Sequence, residues 1–243
     1  VKISWRSLNK NRAFSVLNVL GLTSGLLCSL LISLWVFDEL AVDNHHENSK
    51  KLYSIYERSY SEGEIRGYYH TPAHLYSELK VKFPEVEKAT PSVSPIIRTF
   101  SHGTKTFKRA GNYVSTDYFD MFSYKFLAGN ASHAIRDPKD IAISKEMAES
   151  FFGSAQNAVG KTVTYENKSQ FVVSAVYEEA GSSIMSENQF FLHWDIFCSE
   201  NSWTQSWNNN SPNTFVQLSG EADAAVFEPK IKDFLTGYNS NID

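Results

Sequence analysis

Residues 14–37 read FSVLNVLGLTSGLLCSLLISLWVF, 24 consecutive positions without a charge. At about 1.5 Å per helical residue the run reaches roughly 36 Å, enough to cross a hydrocarbon core of ~30 Å with some tilt. Asn18, Thr23 and the serines soften its hydrophobicity without breaking it. A cleavable leader has a shorter apolar core followed by a small-x-small cleavage site. Here FDELAVDNHHEN comes next instead, so the sequence reads as an uncleaved anchor. Within it Gly21, Gly25, Ser29 and Ser33 recur every four residues and share one helical face. Small residues in such a row let a second backbone come close. No other stretch is apolar enough to be a second span, so the expected partner helix belongs to another chain or to further sequence of this one. Val1 in place of an initiator Met points the same way, to a piece of something longer.

The flanks set the expected orientation. Lys2, Arg6, Lys10 and Arg12 are the only charges in the first twelve positions. By the positive-inside rule this leader (1–13) is cytoplasmic, residues 14–37 span the inner membrane, and residues 45–243 lie in the periplasm. Val1, Trp5 and Leu8 fall at helical spacing away from Arg6 and Lys10, the pattern of an interfacial helix against membrane lipid. The formal charge of −4 hides an asymmetry: of 23 basic residues four lie in that leader, leaving 19 against 27 acidic residues, a net of −8 for the rest. A body that acidic lacks the basic footprint of a nucleic-acid binder. Aromatics at 14% and charged residues at 21% suit a folded rather than a disordered chain. Cys28, inside the apolar run, and Cys198, far downstream, imply no disulfide framework.

Beyond the span, HENSKKLYSIYERSYSEGEI alternates apolar positions at Leu52, Ile55 and the tyrosines, which predicts a strand leaving a turn capped by Asn48 or Ser49. Thr71-Pro72 is expected to open a helix with Pro at its first position and Leu75, Leu79, Val81 and Phe83 as its apolar side, closed by Pro84. VEKATPSVSPIIRTF then reads as an extended return. The middle of the chain has another texture. KTFKRAGNYVS is strand-like and TDYFDMFSYKFLAGN is dense in aromatics. DIAISKEMAESFFG reads as a strand feeding a short helix, and KTVTYENKSQFVVSAVYE as a hairpin turning at Glu-Asn. Tyr118, Phe119, Phe122, Tyr124 and Phe126 suit a core better than a ligand groove. The chain closes on a strand, NTFVQLSG, and a helix, EADAAVFEPKIKDFL, with Ala225, Phe227, Ile231 and Leu235 on its apolar side. The predicted class is α+β: an N-terminal transmembrane helix, then a two-part extracytoplasmic domain. Strand–helix units from both ends (50–100 and 200–243) flank an inserted β-rich part at about 101–199.

No motif carries chemistry. Gly153–Thr162, GSAQNAVGKT, ends like a phosphate-binding loop, but six residues separate its glycines where the loop needs four. It also comes after a helical run and opens a strand, the reverse of what phosphate binding at a helix start requires. His45-His46 beside Asp43 and Glu47 point about 100° apart on a helix and have no companion cluster at ligand spacing. His70 and His74 lack the acidic residue of a zinc protease helix. Glu178-Glu179 reads as a solvated strand tip. No nucleophile elbow or Cys–His pair appears. The expectation is no catalytic residue, no metal, no cofactor and no enzyme activity.

The block WRSLNKNRAFSVLNVLGLTSGLLCSLLISLWVFDELAVDNHHENSKKLYSI resembles the start of an ABC transporter permease of the MacB/FtsX type, in the version common in Bacteroidetes-like bacteria. The basic W-R-x-L-x-x-N-R leader, the N-x-x-G-L span, the D-E-L that ends it and the H-E-N before Tyr53 carry the likeness. It continues through FPEV at Phe83–Val86, TDYFDMFSYKFLAGN, DPKDIAISKEMAESFFG, VGKTV, WNNNSPNTFVQL and the closing helix. His45 departs from it, standing where the family usually has an aromatic.

The resemblance implies a first membrane helix followed by a porter-like outer domain with an insertion, and three further helices beyond Asp243. It implies a separate ATP-binding cassette subunit, a second permease copy, and a periplasmic adaptor as a further candidate partner. It also implies a role in efflux or mechanotransmission, in which cytoplasmic ATP hydrolysis moves the outer domain. On that reading Gly21, Gly25, Ser29 and Ser33 pack on absent helices of the same permease or its dimer mate. The competing expectation from another class is the sensor domain of a single-pass receptor. Three apolar helices after Asp243 would mark the permease, and one helix with a signalling module the receptor.

Overall fold

The computed structural model describes residues 12–41, 51–61, 64–178 and 188–238. Lys2, Arg6 and Lys10 with their leader helix, Asp43, His45, His46, Glu47, the capping pair Asn48 and Ser49, and Glu179 lie outside the described residues. The chain divides into two compact units, 1–44 and 45–243.

The first unit is one helix, α1 (Arg12–Ala41). From Arg12 to Phe37 it is long and apolar enough to cross a membrane, and from Val16 to Phe37 every residue is exposed. Leu, Val, Ile and Phe surround the axis on all sides, which in water would be unfavourable and in lipid is what a span requires.

The second unit is α+β. Its elements are β1 (Leu52–Ile55), β2 (Glu57–Ser61), β3 (Glu64–Tyr68), β4 (His70–Pro72), α2 (Leu75–Lys82), β5 (Val86–Ser92), β6 (Ile96–His102), β7 (Lys105–Val114), α3 (Tyr118–Met121) and β8 (Lys125–Ala128). Next come β9 (Asp140–Ser144), α4 (Lys145–Phe152), α5 (Ala155–Ala158), β10 (Thr162–Tyr165), β11 (Ser169–Glu178), β12 (Phe190–His193), α6 (Trp194–Glu200), β13 (Asn210–Leu218) and α7 (Ala224–Ile231).

Strand β13 organises the first sheet. Thr214 pairs with Ile55 of β1 and with Pro91 of β5, while Asn213 pairs with His70 of β4 and Ser92 of β5. Strands β1 and β4 therefore run end to end along one edge of β13, and β5 occupies the other. The hairpin β2–β3 grows out between β1 and β4. Under this sheet α2 and α7 close a core of Leu75, Leu79, Val86, Ala89, Val216, Leu218 and Phe227.

The second sheet is a ring. Its order is β10-β6-β7-β12-β9-β11, closed by a further β10–β11 pairing, with β8 added on β11. Alternate residues of all six ring strands point inward: Phe100, Tyr113, Ile141, Ile143, Val163, Tyr165, Phe171, Val173, Phe190 and Leu192 share one core. The intervening Val114, Ala142, Ala175, Tyr177 and Phe191 belong to a second core on the outer side. This is the period-two alternation of a sheet covered on both faces. Gly111 on β7 allows the ring to be this tight, because a Cβ there would collide with the carbonyl oxygen and the ring of Phe190.

Several sequence expectations are corrected. Pro72 does not open a helix; it ends β4, because the Thr71 hydroxyl is held by the Pro212 carbonyl at 3.1 Å and the Thr214 hydroxyl at 2.7 Å. Proline suits that edge position, having no N–H to leave unpaired. Helix α2 begins three residues later, and Val81 lies on its outer face at 81% exposure. In α7 Ala225 is exposed, and Ala224 packs on the core with Phe227 and Ile231. The extended return after Pro84 is two strands in different sheets, β5 and β6. The strand–helix reading at DIAISKEMAESFFG is found as β9–α4, with Ser144 capping the helix from its hydroxyl and Gly153 ending it at φ +83°. The β10–β11 hairpin turns through Glu166 and Asn167, both at positive φ.

Candidate functional site

The site with the densest bonding is the junction between the two sheets, where β5 of the first meets the end of β7 in the second. Asn112 is 2% exposed and uses all four of its amide hydrogen-bonding positions. Its Nδ2 donates to Ser92 Oγ (2.9 Å) and to the Val93 carbonyl (2.7 Å), while its Oδ1 accepts from the N–H groups of Val93 (3.0 Å) and Tyr113 (2.7 Å). Ser115 continues the seam: its hydroxyl donates to the Ala89 carbonyl at 2.8 Å and its N–H donates to Thr90 Oγ1 at 3.1 Å. Asp117 accepts from the Ala89 N–H at 3.1 Å and pairs with Lys80 of α2, and Lys88 reaches Asp120 at 3.5 Å. The ion pairs, each with one side chain open to solvent, are screened; the buried amide bonds fix the register between the sheets.

An aromatic wedge lies against this seam. Tyr118, Phe119 and Phe122 pack with Phe191, Tyr177, Tyr124 and Phe126, and Phe122 meets Phe215 of β13 edge to face at 5.6 Å. The aromatics of TDYFDMFSYKF are thus core, joining the outer face of the ring to the first sheet through Phe215 and Leu52.

A second polar cluster reinforces the ring at its narrowest pairing. Strands β10 and β6 share two residue pairs, Thr164–Ser101 and Tyr165–Phe100. There Arg98 Nε donates to the hydroxyls of Tyr113 (3.0 Å) and Tyr165 (2.8 Å), and Tyr165 donates to Glu200 at 2.7 Å. Burial is the main force holding the phenols of Tyr113 and Tyr165 protonated above their ordinary range, and it pushes Tyr76 up to about 12.

Because the folded state keeps these protons and the unfolded chain releases them near pH 10, the contribution of these phenols to stability is constant below that value and falls as pH rises from about 10 to 12. A titration following tyrosinate absorbance and the aromatic circular dichroism is expected to show late-ionising phenols whose ionisation coincides with loss of tertiary signal. Ionisation of every tyrosine near pH 10 with the fold intact would refute this.

The remaining sequence candidates are dispersed. Gly21, Gly25, Ser29 and Ser33 are exposed on α1, with nothing within 4 Å of a Cβ built on either glycine. Arg12 is the first residue of that helix. In the GSAQNAVGKT stretch the amides that a phosphate would need are already used: Gly160 N–H donates to the Val173 carbonyl (2.8 Å) and Lys161 N–H to that of Ala158 (3.0 Å). The stretch also holds the short helix α5, capped by Ser154. It borders an open cleft of about 550 Å³ lined by His102, Phe151, Phe152, Gln156, Asn157, Val159 and Lys161. Among the described residues no group of three or more His, Cys, Asp or Glu side chains is placed to hold a metal ion. Glu178 pairs with Lys125, which draws its carboxyl below the usual range.

Sequence reasoning missed Asn112. Its signal was a polar Gly-Asn pair inside the strand-like run KTFKRAGNYV, where a buried amide must find partners.

Residues 15–234 match the profile of the family described as the MacB-like periplasmic core domain. The macrolide export ATP-binding/permease protein MacB of Salmonella paratyphi A is 30% identical over 160 residues, 64% of this chain and 24% of that protein. MacB of Salmonella choleraesuis matches over the same extent. The chain thus spans about a quarter of the length of these relatives. Among solved structures, a domain described as belonging to a permease protein of Porphyromonas gingivalis superposes with a TM-score of 0.66 at 16% identity, covering 81% of this chain and 84% of that one. The periplasmic region of MacB from Actinobacillus actinomycetemcomitans gives 0.50 at 18% identity, covering 69% and 73%. At these identities the superpositions establish the fold.

Proposed function

The chain belongs to the MacB-like periplasmic core domain family, and from that premise we propose that it is the first membrane helix and outer domain of the permease component of an ABC transporter of the exporter or mechanotransmission type. The observation that carries the mechanical part is the seam at Asn112. A domain that relays displacement must not absorb it, and three buried bonds from Asn112 across the junction of the two sheets, with a fourth to its own strand and an aromatic wedge behind them, resist relative sliding. Nucleotide state would then bias two arrangements of the membrane helices, and the outer unit would follow as one body. In this reading α1 enters from the cytoplasm, where Lys2, Arg6, Lys10 and Arg12 hold its start. ATP hydrolysis belongs to a cassette subunit or domain, and a second permease copy completes the assembly, with a periplasmic adaptor as a further partner. The first sheet, with strands from residues 52–92 and 210–218, is the porter-like part, and the ring, whose strands run from 96 to 193, is the insertion, so its boundary falls before β6 and not at 100/101.

The test is purification of the complete gene product from native membranes. Co-purification of a stoichiometric ATP-binding cassette is expected. A kinase module in the same chain, or no ATP-binding partner, would overturn the reading in favour of a single-pass sensor. In the same preparation Gly25→Leu or Ser29→Leu is expected to reduce recovery of the complex at least about fivefold, since a bulky side chain separates closely packed helices. The circular dichroism of the outer domain should not change. Full recovery of the complex would remove the packing role of this face.

A further inference from the structure

Strand β3 is the least protected edge among the described residues. It pairs on one side with β2, in a two-stranded ribbon separate from both sheets, and all five of its residues are exposed. An isolated ribbon is marginal in water, and natural edges are usually guarded by proline, lysine or a bulge. Strand β3, EIRGY, has no proline, lysine or bulge, its register with β2 is unbroken, and its two charges, Glu64 and Arg66, are of opposite sign. The ribbon is tied down from the β2 side, where Glu57 is bonded by Asn210 and Arg58 pairs with Glu228 of α7 at 3.2 Å. That leaves β3 facing outward.

We propose that β3 pairs antiparallel with β3 of a second copy of this chain, about a two-fold axis at Ile65. The strand is self-complementary. With Ile65 opposite Ile65, antiparallel register places Glu64 opposite Arg66 of the partner copy and Arg66 opposite its Glu64, two favourable cross-strand pairs generated by one operation. Within one copy these two side chains already lie on the same face, 3.4 Å apart, exposed at 72% and 56%. Ile65, at 62% exposure, supplies apolar contact on the axis. Backbone geometry agrees. Ser61 pairs with Glu64 across a two-residue connection, and in such a hairpin this closing pair is hydrogen-bonded. Ile65 and Gly67 therefore turn their N–H and C=O groups away from β2. Pairing at Ile65 uses that outward row and makes a four-stranded ribbon across the dimer. The proposal names an outer contact for the permease pair and rests on that reading only for the presence of a second copy.

Cysteine cross-linking of the full chain in membranes tests it, in a background of Cys28→Ser and Cys198→Ser. Residues directly opposite in an antiparallel pair lie about 4.5–5.5 Å apart at Cα, within disulfide reach. Ile65→Cys is therefore expected to yield a disulfide dimer under mild oxidation. Val81→Cys, exposed at 81% on α2, is the collision control and is expected to stay monomeric. Adding Glu64→Arg or Arg66→Glu alone should lower the dimer yield about tenfold, by placing like charges opposite each other. Making both changes together should restore it. Equal cross-linking at 65 and 81, or no rescue by the double reversal, overturns the strand pairing. If a cassette co-purifies while position 65 fails to cross-link, the strand proposal falls and the permease reading stands. Cross-linking at 65 without a cassette has the opposite meaning.

Discussion

Replacing Phe191 by alanine is expected to lower the stability of the outer domain by about 4 kcal/mol. The side chain is fully buried, with ring centroids of Tyr118, Phe119, Tyr124 and Tyr177 at 4.9, 5.3, 5.7 and 5.4 Å. Removing it leaves a cavity bounded by rings on β11, on α3 and on the segment between α3 and β8, which cannot collapse without breaking ladder bonds. For a unit of this size the loss corresponds to a fall in Tm of roughly 8–16 °C. Thermal denaturation followed by near-ultraviolet circular dichroism measures it, with Val226→Ala, exposed at 60%, as the neutral comparison. A loss below about 1 kcal/mol would mean that the wedge is plastic.

Asn112→Ala is expected to cost about 3 kcal/mol by a different route, because buried partners are left without bonds instead of space being left empty. The orphaned groups are the Val93 N–H and carbonyl, the Ser92 hydroxyl and the Tyr113 N–H. The distinguishing measurement is amide hydrogen exchange. Val93 and Tyr113 should exchange much faster in the variant, while Ile141 and Val173 inside the ring keep their protection. Uniform acceleration would mean global destabilisation and would remove the seam as a separate element.

How far this architecture could be read in the sequence depends on the range of each interaction. The apolar helix was legible because nothing distant competes with 24 uncharged residues. Strand β9 and helix α4 were legible because Ser144 and Gly153 act on their own neighbours. The start of α2 was not, because Thr71 is claimed by Pro212 and Thr214, more than 140 positions away. Ring closure was hidden for the same reason. It depends on the parallel pairings β7–β12 and β9–β11, which no local pattern announces. Gly111 passes unmarked in a strand-like run, and it is where Phe190 approaches. The small-residue face of α1 was plain in the sequence, as was the aromatic run; Asn112 was visible as a residue, but three of its four bonds go to Ser92 and Val93, some twenty positions earlier in the chain and at the end of a strand of the other sheet.

The central position of β13 has a consequence for biosynthesis. All strands of the ring lie between residues 96 and 193, so that part is complete in one uninterrupted stretch of emerging chain. Strands β1, β4 and β5 leave the ribosome before it, but their shared partner, residues 210–218, comes last. At ordinary elongation rates β1 waits on the order of ten seconds for Phe215 and its neighbours. During that interval β1, β4 and β5 lack the strand they all pair with, and any holdase that guards this protein would act on those early strands.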